Sequence, residues 1–281
     1  MKKQLSTIIF ALIFLAGLSL FLYPMFSNLW NEHLNHGLIK EYTDTVSNIS
    51  SEEYRIALEN ARTYNKHLYE KEKLSELGLS YHELLNLNGD GIMGYMEIPK
   101  ISTSLVLYHG TEDKDLQRGI GHVEKSALPV GGEGTHCVLA GHTGLPSAKL
   151  LTNLDRLQNG DVFYIHILNE VLEYRVDQIV VVEPHEVDHL MAETGKDYVT
   201  IVTCTPYGIN SHRLLVRGSR VTAGGSDHSV LTMPDEVTYL SPYLTVTAAL
   251  IALAIPVILS VVLLRARKRK KEKKEETDEP N

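Results

Sequence analysis

Two long uncharged apolar runs constrain this chain more than any other feature. Residues 5–23, LSTIIFALIFLAGLSLFLY, carry no charge over 19 positions, and residues 240–264, LSPYLTVTAALIALAIPVILSVVLL, carry none over 25. A helix rises about 1.5 Å per residue, so each run can cross a hydrocarbon core of about 30 Å, the longer one with tilt. Pro256 is tolerated in such a helix with a kink. Lys2 and Lys3 ahead of the first run would also suit a signal peptide. Residues 22–30, LYPMFSNLW, however, place bulky side chains where a peptidase needs small ones, so an uncleaved anchor is expected.

Charge sets the expected orientation. Lys2 and Lys3 precede the first run, and RARKRKKEKK (265–274) follows the second. The positive-inside rule puts both termini in the cytoplasm and residues 27–239 outside. The tail 265–281 has 8 basic and 5 acidic residues, whereas residues 4–264 carry −13 against −8 for the whole chain. An acidic exterior domain is a poor match for nucleic acid, and no nucleic-acid partner is expected. The basic tail reads as a stop-transfer segment against lipid headgroups.

Between the runs the pattern changes once. Residues 31–85 mix charged and apolar residues at three- and four-residue spacing, which predicts surface helices, with Ser50 or Ser51 ahead of glutamates as an N-terminal cap. From Gly94 the chain turns to short segments rich in Val, Ile, Tyr and Thr. They run from GYMEIPKI through TSLVLYHG, GTHCVLAGHT, GDVFYIHIL, EVLEYRVDQIVVVEP and DYVTIVTC to RLLVRGSRV. Gly, Pro and Asn separate them at intervals of about ten residues, as in a closed or sandwiched β architecture. LNE at 168–170 predicts a hairpin, and short helices are expected near 113–120, 147–157 and 185–193. The fold expected is mainly β: a barrel with short helices, a helical N-terminal segment packed on it, and a membrane helix at each end.

Three side chains could carry chemistry. Cys204 ends the run Tyr198–Cys204, where period-two alternation puts Tyr198, Thr200, Val202 and Cys204 on one face. TPYG (205–208) then breaks the strand, so the thiol lies at a rim. A cysteine nucleophile needs a histidine near in space, and His142 follows the apolar strand CVLA between Gly141 and Thr143, at another strand end. Arg213 begins the strand after the loop, so a hairpin returns its guanidinium to the Cys204 rim, where it could stabilise an oxyanion. Each has a bland alternative: a buried cysteine, a turn histidine, a strand-edge arginine. Cys137, the other cysteine, is assigned to packing, and both thiols are expected reduced. His122 and His212 are read as bystanders.

The run TIVTC followed by TPYGINSHRLLVRG, with AGHTGLPSAKLLTNLD upstream, resembles the sortases, membrane-anchored cysteine transpeptidases of Gram-positive bacteria. Thr200, Thr203, Cys204 and Arg213 match the family signature, Ile201 stands where the family has leucine, and His142 falls in the histidine motif. The similarity runs over roughly residues 92–222. GLSLFLYPMFSNLWN and the second apolar run resemble class C, the pilin polymerases. The resemblance implies a sortase β-barrel, Cys204 as nucleophile, His142 as general acid/base and Arg213 as oxyanion or substrate stabiliser. Class C enzymes usually carry an Asp-Pro-aromatic lid, and TYNKHLYEKEKLSELGLS contains no proline. A lid of that type is not expected.

The implied organisation is a cytoplasmic N-terminus (1–4), a membrane helix (5–26), an extracellular helical segment in the lid region (27–91) and a catalytic barrel (92–222). A linker (223–239), a second membrane helix (240–264) and a basic cytoplasmic tail (265–281) follow. NLNGDGIMGYME (86–97) has the spacing of a calcium loop, but Asn86 replaces the usual Asp and Glu97 lies in a strand-like run. It is read as a turn, and no metal or cofactor is expected. The implied reaction is cleavage of an LPxTG-type sorting signal through a Cys thioacyl intermediate and transfer to an amine, a pilin lysine in class C. The expected partners are pilin or surface-protein substrates and membrane lipid. The alternatives are a housekeeping sortase that joins surface proteins to a wall precursor, and a non-catalytic membrane-tethered binding module on the same barrel. A membrane protease, with water replacing the amine, is a third.

Overall fold

The computed structural model describes residues 2–221. The expected linker, the second apolar run 240–264 and the basic tail lie outside the described residues.

The chain opens with one uninterrupted helix, α1 (Lys2–Asn48), with Pro24 inside it. By length and composition its span Ile13–Asn48 can cross a membrane. The same helix then docks on the barrel. Ile39, Tyr42 and Val46 are buried against Ile92, Val106 and Tyr108, and the Tyr42 hydroxyl bonds the Met93 carbonyl and the Leu168 N–H. Burying side chains of this size stabilises by about 1.5–3 kcal/mol each.

Helix α2 (Ser51–Lys66) starts where the serine–glutamate pattern places it. Ser50 is the N-cap, its side chain accepting from the Glu53 N–H while the Glu53 carboxylate accepts from the Ser50 N–H. Leu58, Ala61 and Tyr64 are its buried face. The short α3 (Lys71–Glu76) and a single 3-10 turn at Tyr81–Glu83 follow. Asn86, Asn88 and Asp90 then form a tight turn: Asn86 and Asp90 accept from the backbone N–H groups of Gly91 and Ile92, and Asn88 bonds Thr45.

Eight strands close into a barrel: β1 (Ile92–Ile98), β2 (Thr103–His109), β3 (Ile120–His122), β4 (Thr135–Ala140), β5 (Val162–Ile167), β6 (Glu170–Val182), β7 (Asp197–Thr205) and β8 (His212–Arg220). Their order around the barrel is β1-β2-β3-β4-β7-β8-β6-β5. Period-two alternation sorts their side chains, so that Leu139, Val199, Ile201 and Val216 fill the interior with Met96, Leu107 and Phe163. The expected hairpin joins β5 to β6, with Leu168 at φ 53° in the turn. Strand β3 was not anticipated: its three residues pair parallel to β2 and antiparallel to β4. Helix α4 (Asp113–Leu116) and 3-10 turns at Leu154–Arg156 and Asp188–Leu190 stand where short helices were expected.

Helix α2 spans one mouth of this barrel. Near its start the Tyr54 hydroxyl bonds Glu170 at the β5–β6 turn. Near its end the Asn65 amide bonds both the N–H and the C=O of Leu128, on the β3–β4 connection. The 11 helical steps from Tyr54 to Asn65 reach about 16 Å, enough to cross the mouth. Tyr81 completes the closure, its hydroxyl meeting His122 Nδ1 at 2.9 Å and the Gly110 N–H at 2.8 Å. Residues 51–85 therefore plug the mouth where β4 and β7 begin, opposite the one where β7 ends.

Candidate active site

Strands β7 and β8 are antiparallel neighbours with Cys204 directly opposite Arg213, so their side chains leave the same face of the sheet. Strand β4 lies parallel on the other side of β7, paired from Thr135↔Asp197 to Ala140↔Val202. The pairing continues past the named strand, because the Gly141 N–H donates to the Val202 carbonyl (3.0 Å) and the Thr203 hydroxyl donates to the Gly141 carbonyl (2.8 Å). Two steps beyond Ala140↔Val202 lie His142 and Cys204. The sheet thus sets Cys204 and Arg213 on adjacent strands at one rim, with His142 two residues past the end of the neighbouring β4.

Burial tells which face they occupy. Val199 and Ile201 point into the core, as do their partners Cys137, Leu139 and Val216. Tyr198, Thr200, Val202 and Cys204 therefore line the outer face. At the far end that face is covered: His136 bonds the Met191 carbonyl (3.0 Å) and the Thr200 hydroxyl (2.7 Å), and Arg217 stacks over Tyr198 at 4.1 Å. Toward the rim the cover ends, and Val202, Cys204, Arg213 and His142 are all half-buried.

The two cysteines are free, Cys137 buried and Cys204 partly accessible. Geometry forbids their pairing. Cys137 aligns with Val199, and the five residues from there to Cys204 span about 16 Å of strand, with the side chains on opposite faces. A disulfide needs Cα atoms within about 7 Å. Complete burial pushes the Cys137 thiol well above the ordinary thiol range, so it stays a protonated packing group.

The rim loops hold the remaining parts. After the cis Thr205–Pro206 bond, the Ile209 and Asn210 N–H groups both bond the Pro206 carbonyl, which tightens the loop back toward β8. Arg213 Nη1 donates to the carbonyls of His212 (3.1 Å) and Asn210 (3.4 Å), so the loop backbone steadies the guanidinium. His142 Nε2 stands 3.5 Å from the exposed Asp113 carboxylate of α4. Asp113 had no signal in the sequence, since only the packing of α4 outside β3 brings it near. Tyr207 lies over Gly144: a Cβ there would come within 3.3 Å of its ring, and the backbone has φ +73°. At Gly141 a Cβ would meet Leu151 at 2.6 Å. Both glycines permit the close approach the rim requires. His212 points away into solvent, bonded to Ser211 (2.8 Å).

A Sortase domain family profile matches residues 96–221. Sortase C1 from Streptococcus agalactiae is 46% identical in sequence, with a TM-score of 0.62 over 66% of this chain and 98% of that one. The chain belongs to the sortase family. The sortase C of Streptococcus pneumoniae is 40% identical, with a TM-score of 0.59 over 68% of this chain and 99% of its own. The curated sortase A of Bacillus anthracis is 24% identical over 220 residues, 78% of this chain and 96% of its length. The barrel is thus a sortase fold, the protein is a cysteine transpeptidase, and the solved structures it resembles are class C enzymes. Sortases act on LPxTG-type sorting motifs.

Proposed function

We propose that this sortase polymerises pilin subunits, with Cys204 as nucleophile, His142 as general acid/base and Arg213 as oxyanion stabiliser. The observation that carries the reading is the sheet register: Arg213 lies directly opposite Cys204 on β8, and on the other side the β4–β7 ladder ends at Ala140↔Val202, two residues before His142 and Cys204. His142 takes the thiol proton as Cys204 Sγ attacks the threonine carbonyl of an LPxTG-type signal. The electron pair moves to the carbonyl oxygen, where the Arg213 fork, already aimed by two loop carbonyls, meets the developing charge. Collapse breaks the Thr–Gly C–N bond, His142 donates a proton to the departing glycine amine, and a thioester remains on Cys204. A lysine ε-amine of a second pilin attacks that thioester and gives its proton to His142, which passes it to the departing sulfur, leaving an isopeptide bond and a free thiol.

The pilin acceptor is supported by the class C enzymes of Streptococcus agalactiae and Streptococcus pneumoniae, at 46% and 40% identity, the latter described with pilin substrate specificity. In this reading α1 anchors the protein in the membrane of a Gram-positive cell. The catalytic domain is extracellular, both termini are cytoplasmic, and residues 240–264 form a second span. Tethering gives membrane-held substrates a high effective concentration.

The test is incubation of the full chain in detergent micelles with a single pilin carrying an LPxTG-type signal and a wall-precursor amine as competing acceptor. The expected product is a ladder of covalent multimers that survives denaturation and reduction. Transfer only to a wall-precursor amine identifies a housekeeping enzyme instead, and release of cleaved monomer alone identifies a protease.

A further inference from the structure

We infer that Ser27, Asn28 and Asn31 of α1 are positioning residues that set the loop bearing His142, and thereby tie turnover to the N-terminal helix. The inference rests on the proposed role of His142.

His142 opens a ten-residue loop that closes on itself, the Leu151 N–H donating to the His142 carbonyl (3.2 Å). Within it the Gly144 N–H bonds Thr152 Oγ1 (3.1 Å) and Leu145 bridges Ala148. The loop is thus one stiff unit, and a push on its middle moves its first residue. The middle is held by α1 alone among the contacts described for Ser147. The Ser147 carbonyl accepts from both the Ser27 hydroxyl (2.9 Å) and the Asn31 amide (2.7 Å), which uses both of its lone pairs. Two residues on, the Lys149 N–H donates to Asn28 Oδ1 (2.7 Å). Positions 27 and 31 share a helix face and 28 flanks it, so one short stretch of α1 makes all three bonds.

These bonds are not what docks the helix. Ile39, Tyr42 and Val46 supply that farther along, with the Asn35 side chain bonding the Val106 N–H and the Arg118 carbonyl. Removing the clasp therefore leaves α1 seated and Ala148, Leu150 and Leu151 in the core, while the stretch from His142 to Ser147 loses its hold. A general acid displaced by a fraction of an ångström loses rate while substrate affinity survives.

The experiment uses the full chain in detergent micelles and a fluorogenic Leu-Pro-Glu-Thr-Gly peptide, with kcat, KM and Tm measured on each variant. Asn28→Ala/Asn31→Ala is expected to lower kcat roughly ten- to a hundredfold with KM within about twofold. Tyr42→Phe, which weakens docking far from the loop, is expected to lower Tm with kcat retained. Asn28→Asp keeps the acceptor for Lys149 and is expected to regain most of the turnover lost in Asn28→Ala. Asn31→Asp sets a carboxylate against the Ser147 carbonyl and is expected to remain slow. A kcat within twofold of wild type for the double variant, or a loss matched by Tyr42→Phe at equal Tm, overturns the inference. A fully active His142→Ala would instead overturn the proposed role of His142.

Discussion

Two histidines three residues apart in barrel register live under opposite conditions. His122, on β3, is fully buried, with Tyr81 on one ring nitrogen and the Ala127 carbonyl on the other (both 2.9 Å). Burial lowers its pKa to about 4, so the ring is neutral at physiological pH. His142, at the rim, is 30% exposed, and its described polar side-chain contact is Asp113 at 3.5 Å. The plugged mouth engages the hydrogen-bonding capacity of its histidines internally, as at His109, whose ring lies between the Gly91 and Leu84 carbonyls and donates to one of them. The open rim leaves that capacity for a substrate. The cysteines repeat the contrast, Cys137 sealed inside β4 and Cys204 on the outer face of β7.

The strongest test of this contrast is to exchange the fates of the cysteines. Cys204→Ala is expected to abolish every covalent product, and Cys137→Ala to keep turnover at a cost of about 1 kcal/mol of stability. Iodoacetamide mapping by mass spectrometry should label Cys204 in the native enzyme and reach Cys137 only after unfolding. A native Cys137 that labels as fast as Cys204 breaks the comparison at its base.

Next come Arg213 and His142 at the rim. Arg213→Lys and His142→Ala are each expected to lose about a hundred- to a thousandfold in peptide-cleavage rate, the lysine lacking the planar fork. His212→Ala, one residue away on the solvent side, should stay near wild type in the same assay. Equal losses at 212 and 142 would mean that the rim is read from the wrong strand face.

At the plugged mouth the readout is stability. Below pH 6.5 the unfolded chain protonates its His122 while the folded protein refuses the proton until about pH 4. Stability is therefore full above 6.5 and falls as the pH drops between those values, by about 3 kcal/mol if this group acts alone. His122→Ala removes that dependence but strands the Ala127 carbonyl and takes the ring partner from the Tyr81 hydroxyl, costing about 1–3 kcal/mol at neutral pH. Urea melts across pH 4–8 of both proteins check the pair. A wild-type stability that is flat over that range contradicts the burial argument. The smallest effect belongs to Asn65→Ala, which loses both bonds to Leu128: about 1–2 kcal/mol in the same melts, with kcat unchanged. An altered kcat there would mean the far mouth communicates with the rim.

Much of this was legible in the chain itself. Alternation along Tyr198–Cys204 gave the strand and the face of the thiol, and the Ser50–Glu53 spacing gave the start of α2. The pairing of Cys204 with Arg213 followed from a hairpin whose loop begins with TPYG. All of these are local, because backbone geometry of period 2 or 3.6 acts on neighbours within a few residues.

What lay beyond the sequence depends on contacts between distant segments. Three-residue β3, with glycine at its centre, has no periodicity of its own and is a strand only because β2 and β4 flank it. The parallel pairing of β4 with β7 brings the end of β4, two residues before His142, to the end of β7 that carries Cys204, a pairing that side-chain pattern leaves open since either neighbour buries the same face. The serine and asparagines of α1 read as ordinary polar residues after an apolar run, yet they meet the His142 loop across 116 to 121 residues. Local sequence determined which residues could form strands, caps and a nucleophile's rim. The closed barrel decided which of them meet, because its register is fixed only when all eight strands bury their inner faces at once.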